Sequence, residues 1–269
     1  MNTKYNIPKI YEDVKSRSKI LSLKDKNYFY NKHQLLINTT KSISERISET
    51  KKHFKLSIEI NTKTEKTIET IKKNKNIEDI FSTSLFNKSI INSLHFIAEE
   101  ELIPIKTNSV DMFYTLFGLD NINDLPGTLK QIHNSLKKDA MFIGAFIGEG
   151  SLNPLYRAFA YADEAVLGGI HPRIHPFFEI KTLANLFYRI GFKDIVADQE
   201  KITKKYSSLE ELFIDIRSFG STNLLRGRRK QFTPATIFKL MEKKLKETSN
   251  DKSYFEIPLN IIFINCWKT

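Results

Sequence analysis

The 269-residue chain is 41% hydrophobic and contains 20 Phe and 10 Tyr, enough apolar surface for a large core, which excludes a disordered chain. Its one cysteine, Cys266, excludes an intramolecular disulfide and a cysteine-rich metal site, and no run approaches the roughly 18 apolar residues of a membrane span. The formal net charge of +11 invites a nucleic-acid or anionic-membrane partner, but the lysines are scattered, as at Lys51, Lys52, Lys72, Lys73 and Lys75. A binding stripe would cluster, so a nucleic-acid partner is not expected. With the many Asn and Ile, these lysines read as the imprint of an AT-rich genome. Residues 1–10 lack an apolar signal segment, so a cytoplasmic setting is the expectation.

Residues 1–53 read as an N-terminal helical extension to a domain spanning 54–269. Within it, 1 to about 26 are polar and weakly periodic, a loose segment. Phe29, Leu35, Leu36, Ile43 and Ile47 then recur at helical intervals over 28–52. FKLSIEI (54–60) alternates as a strand, followed by a polar turn and a short helix over 61–75. Strands are predicted at 77–82, 93–98 and 110–117, with a polar connection over 86–91. A helix at 125–136 carries Pro126 in its first turn, and the most apolar strand lies at 140–147. Beyond Gly150 come a helix over 152–167, a Pro/His loop over 169–176 and a helix over 179–190 that Gly191 stops. A strand at 192–198, helices at 208–219 and from Thr233-Pro234, and two short terminal strands around Pro258 complete the pattern. Strands alternating with helices argue for an α/β fold, a Rossmann-like parallel sheet with helices on both faces, ending in antiparallel strands.

Several segments in order carry a family resemblance. They are Ala98-Glu99-Glu100-Glu101-Leu102-Ile103-Pro104, Asn108-Ser109-Val110-Asp111, Asn123-Asp124-Leu125-Pro126 with Gln131-Ile132-His133, and Phe142-Ile143-Gly144-Ala145. Further on stand His171-Pro172 with His175-Pro176-Phe177, Gly191-Phe192, and Phe219-Gly220-Ser221-Thr222-Asn223. Their sequence and order resemble the class I methyltransferases that use S-adenosylmethionine (SAM). Within these they resemble the branch holding the biotin-pathway malonyl-carrier-protein methyltransferase and the mitochondrial complex I assembly factor that hydroxylates an arginine. The resemblance implies the class I methyltransferase fold, SAM as cofactor, a helical lid with substrate-side elements over about 150–235, and a protein partner such as a respiratory complex I subunit.

One departure bears on the cofactor. The family places a glycine-rich loop, L-D-x-G-x-G-x-G, after the first strand, because any Cβ there fills space the ligand needs. Here the segment reads Ile58-Glu59-Ile60-Asn61-Thr62-Lys63-Thr64-Glu65, with Asn61, Lys63 and Glu65 at the glycine positions. The acid that would hold the ribose at the end of the second strand is replaced by Ser82-Thr83-Ser84. Glu78 or Asp79 could substitute only if the register were shifted. Glu59 and Glu99 remain as remnants of cofactor contacts. The expectation is that SAM is not bound usefully; a rebuilt loop that binds by another route is the alternative.

By the same resemblance, His171, Arg173, His175, Arg217 and Asn223 mark a partner or substrate face, with Tyr156 nearby. The two histidines have i, i+4 spacing, but Pro172 and Pro176 break the helix a metal pair would need, so no metal is expected. No facial iron triad can be placed, which leaves hydroxylation or a chaperone role open. Arg217 suits a partner's carboxylate or an ordinary surface ion pair. Arg226-Gly227-Arg228-Arg229-Lys230 is the one dense basic run, either a patch for an acidic protein surface or anionic membrane, or a solvated loop. The aromatics Phe159 and Tyr161 near Arg157, together with Trp267 and His133, read as packing residues.

Overall fold

The computed structural model describes residues 9–24, 34–86, 94–219, 222–249 and 251–269. The expected extension over 1–8, the helical start near Phe29, most of the 86–91 connection, and Gly220 and Ser221 lie outside the described residues.

The sheet has seven strands in the order β3-β2-β1-β4-β5-β7-β6. They are β1 (Phe54–Ile60), β2 (Ile77–Ser84), β3 (His95–Ile97), β4 (Val110–Leu116), β5 (Leu136–Ile147), β6 (Lys193–Tyr206) and β7 (Phe255–Lys268). The first five are mutually parallel, and β7 runs antiparallel between β5 and β6. The central strands β4 and β5 are buried over nearly their whole length, as strands covered on both faces must be.

Helices cover both faces. On one lie α2 (Gln34–Ser48), α3 (Glu65–Lys72), α5 (Asn153–Leu167), α7 (Leu209–Ser218) and α8 (Ala235–Glu247), whose apolar faces join one core cluster with Ile43, Ile68, Leu155, Leu212 and Ile237. On the other lie α4 (Leu125–Ser135) and α6 (Ile180–Ile190), where Phe187 meets Phe142 at 5.1 Å and Phe192 at 5.4 Å between ring centres. Local chemistry sets the boundaries. Asp124 caps α4 by accepting the Gly127 N–H at 2.8 Å, and Gly191, at φ 116°, ends α6 in the left-handed conformation expected of it.

Three expectations are corrected. Strand β6 continues to Tyr206 instead of ending near 198. Its polar tail, Lys201–Lys205, is an edge strand whose alternate side chains face water. The terminal segment is one strand, unbroken at Pro258. The Pro258 carbonyl points to the β5 side, where it accepts the Leu152 N–H beyond the end of β5, so the missing proline N–H costs no ladder bond. The stretch expected to be loose contains helix α1 (Val14–Lys24), which has almost no amphipathic pattern and is held by specific polar contacts. No helix among the described residues is long and apolar enough to cross a membrane.

Candidate functional site

In open parallel sheets, ligands meet the carboxyl ends of the strands. At the end of β1, Asn61 takes φ 52°, the left-handed conformation that asparagine tolerates better than most residues. Its side-chain Nδ2 donates to Glu100 Oε1 at 2.7 Å and to the Gly118 carbonyl at 3.1 Å, while its backbone N–H donates to Thr83 Oγ1 at 3.1 Å. Thr62, Lys63 and Thr64 follow, all buried, and Thr64 caps α3. Gly118, after β4, presses onto this turn: a Cβ there would lie 2.4 Å from the Ile60 carbonyl oxygen. The turns after β1 and β4 are therefore in direct contact.

Charged side chains gather beside this contact. Arg17 of α1 is 1% exposed; it donates to the Asn121 carbonyl and lies 3.5 Å from Glu100 and 3.6 Å from Glu101. The Tyr11 hydroxyl donates to the Asp120 carbonyl at 3.2 Å. Burial pushes the Glu100 carboxyl up to about 7, against the opposing pull of Arg17 and Lys63. Burial likewise pushes Asp120 up to about 7, again opposed by Lys63. An arginine from the N-terminal segment and a lysine from the β1 turn thus face two buried acids at the strand ends.

The two expected cofactor contacts differ in setting. Glu59 is fully buried against α3, accepting the Thr67 hydroxyl at 3.0 Å and the Tyr114 hydroxyl at 3.2 Å, so its carboxylate is held in packing. Glu99 stays partly exposed, and its neighbour Glu100 enters the cluster. Glu78 and Asp79 sit at the start of β2, as the Phe54↔Ile77 and Leu56↔Asp79 pairings require, so they are at the wrong end of the strand to hold a ribose. At the right end, Ser82 and Ser84 bracket the His95 ring at 2.8 and 2.9 Å. Sequence reasoning missed Arg17, Glu100 and Asp120. The run Glu99–Glu101 offered three acids without a periodicity to choose between them, and Arg17 is one cation among 42.

On the lid side, Arg173 grips the fully buried Asp163 of α5 with two bonds, at 2.7 and 2.5 Å, and donates to Thr233 Oγ1 at 3.2 Å. The His171 N–H also donates to Asp163, at 3.3 Å. Asn223 Nδ2 donates to the Pro172 carbonyl at 2.9 Å, tying the 169–176 loop to the turn after α7. His175 is buried between Tyr11 and Phe177, and desolvation lowers its pKa to about 4, so it is neutral at physiological pH. Arg173, Arg217 and Asn223 come together on one cavity, whereas His175 and Tyr156 line a neighbouring depression. The basic run is partly committed: Arg228 pairs with Glu12, and the Arg226 N–H donates to the Ile10 carbonyl, as part of the Tyr11↔Leu225 bridge that docks the N-terminal segment.

Comparison with known proteins gives the same picture of the fold. No family profile matches the chain. It is 32% identical over 200 residues to the mitochondrial arginine-hydroxylase NDUFAF5 of Danio rerio, covering 71% of this chain and 60% of the relative. The human protein of that name is 35% identical over 153 residues, with coverage of 56% and 44%. The malonyl-[acyl-carrier protein] O-methyltransferase 1 of Coxiella burnetii is 22% identical over 173 residues, covering 64% of this chain and 58% of the relative. The chain spans about half the length of the curated relatives it matches. Among solved structures, a Bacillus halodurans protein assigned as a methyltransferase superposes with a TM-score of 0.57 at 8% identity, covering 84% of this chain and 97% of that one. The YcgJ protein of Bacillus subtilis gives 0.54 at 11%, covering 86% and 98%.

Two outcomes are expected from this geometry. Asp163→Ala leaves the Arg173 guanidinium without its carboxylate and lowers stability by about 3 kcal/mol in urea denaturation, while the double variant with Arg173→Met recovers most of that loss. Glu100 has a folded pKa above its unfolded value, so the folded state binds its proton more tightly and stability falls as pH rises from about 4.5 to about 7. Glu100→Gln removes that contribution: melting temperatures of variant and parent, compared from pH 4.5 to 8, diverge in the variant's favour as pH rises.

Proposed function

We propose a function from the premise that this chain is a class I methyltransferase-like protein: it has lost useful binding of SAM and acts on, or chaperones, a protein partner. The observation that carries the first half is the filled end of the sheet. SAM would need the space after β1 and an acid at the end of β2. Here Lys63 and Arg17 lie with Glu100 and Asp120 where a nucleoside would enter, and Ser82 and Ser84 engage His95 at the ribose position. Displacing a buried charged cluster costs several kcal/mol, and about 4 kcal/mol is enough to weaken a micromolar ligand to millimolar.

The partner half rests on the relatives. The similarity to proteins named arginine-hydroxylase supports a respiratory complex I subunit as the partner class, met in a cytoplasmic setting. A second reading, an active methyltransferase with a rebuilt loop, is favoured by one observation: Asn61 preserves a left-handed conformation at a position the family gives to glycine.

Affinity capture with the tagged chain tests the partner half. Mass spectrometry is expected to find subunits of respiratory NADH dehydrogenase enriched. Arg226→Ala with Arg229→Ala, which spares both cations paired with Glu12, Arg228 and Lys230, is expected to reduce the yield severalfold. Recovery of nucleic acid in place of those subunits would contradict the reading.

A further inference from the structure

Between α5, α7 and α8 lies a cavity of about 350 Å³, floored by Leu152, Leu155, Phe159, Phe213, Ile216 and Phe238. None of its lining residues belongs to the charged cluster at the strand ends, so it is a separate site. Its volume lies in the range of small-ligand clefts, and its composition, an apolar body with a few polar groups, is the usual one for such clefts. Leu152 holds φ 58°, a costly conformation for a bulky residue, and sits in the floor.

The polar lining decides the ligand. Arg173 is neutralised by Asp163, and the Asn223 side chain is engaged by Pro172 and Leu225. Arg217 has no ion pair or side-chain hydrogen bond among the described residues, although it is only partly exposed. None of the acids on α5, α7 and α8 lines the cavity, and several are paired elsewhere. Asp215 accepts from Lys204 and Tyr206, Glu211 from Ser207, and Glu242 from Lys246. The cavity therefore offers a greasy body and one uncompensated guanidinium, where a ligand's cationic side chain would meet like charge.

We propose that this cavity binds an amphipathic carboxylate, an aliphatic or aromatic acid whose tail lies among Phe159, Phe213 and Phe238 and whose carboxylate pairs with Arg217. The fork of the guanidinium matches a carboxylate with two parallel N–H donors. This inference does not rest on the loss of SAM binding and stands or falls separately.

Calorimetric titration with decanoate, below its micelle concentration, tests it, with decyltrimethylammonium as the cation of matched tail. Decanoate is expected to bind the parent protein about tenfold or more tightly than the cation does. Arg217→Ala is expected to weaken decanoate by about tenfold or more, and Arg217→Lys by less, with melting temperatures close to the parent's. Failure of decanoate to bind the parent, equal binding of the cation, or unchanged decanoate affinity in Arg217→Ala would each overturn the proposal. The comparison of anion and cation needs no variant, so it survives any misfolding of the substituted proteins.

Discussion

The contact of Arg17 with Glu100, backed by Lys63 against Glu100 and Asp120, is the interaction around which the rest of the molecule is arranged. Carboxyl groups buried at the ends of parallel strands need a partner, because an unmatched buried charge is costly. In a cofactor-binding protein of this fold, a ligand meets those groups. Here the chain supplies both cations itself, one from the turn after β1 and one from a helix more than forty residues upstream of that turn. The Asn61 turn and the close approach of Gly118 then leave little between the β1 and β4 turns for anything else.

The same N-terminal segment reaches the lid. Tyr11 bridges Leu225, touches the His175 ring and donates to the Asp120 carbonyl, while Glu12 holds Arg228. One short stretch thus ties the strand ends to the 169–176 loop and the turn after α7. The Arg173–Asp163 pair and the Asn223–Pro172 bond fix that loop from its other side. The N-terminal segment thus contacts both the strand ends and the loops beside the cavity between α5, α7 and α8.

Much of the fold was legible in the sequence. The short, largely apolar run Val110–Leu116, bounded by turn residues, reads as a buried strand, and Gly191 marks a helix end by a conformation glycine takes at little cost. The strand β6 tail and α1 were not legible, because edge strands and helices held by polar contacts carry no hydrophobic period. At the site, the loss of the glycines was visible, since a Cβ is a local steric fact. What replaced them was not. Arg17 lies 83 residues from Glu100, and no local pattern reports a pairing over that separation. Arg173 looked like a substrate contact because its partner, Asp163, lies in the preceding helix beside Glu164, and no local pattern says which acid turns inward.

The most direct test of the filled cofactor end is calorimetric titration of SAM, and of its demethylated product, into the purified chain at moderate salt. The account predicts no measurable binding at any concentration a cell would hold. Binding of either in the low-micromolar range would contradict it, and would show that the Arg17 and Lys63 side chains yield the site to a nucleoside.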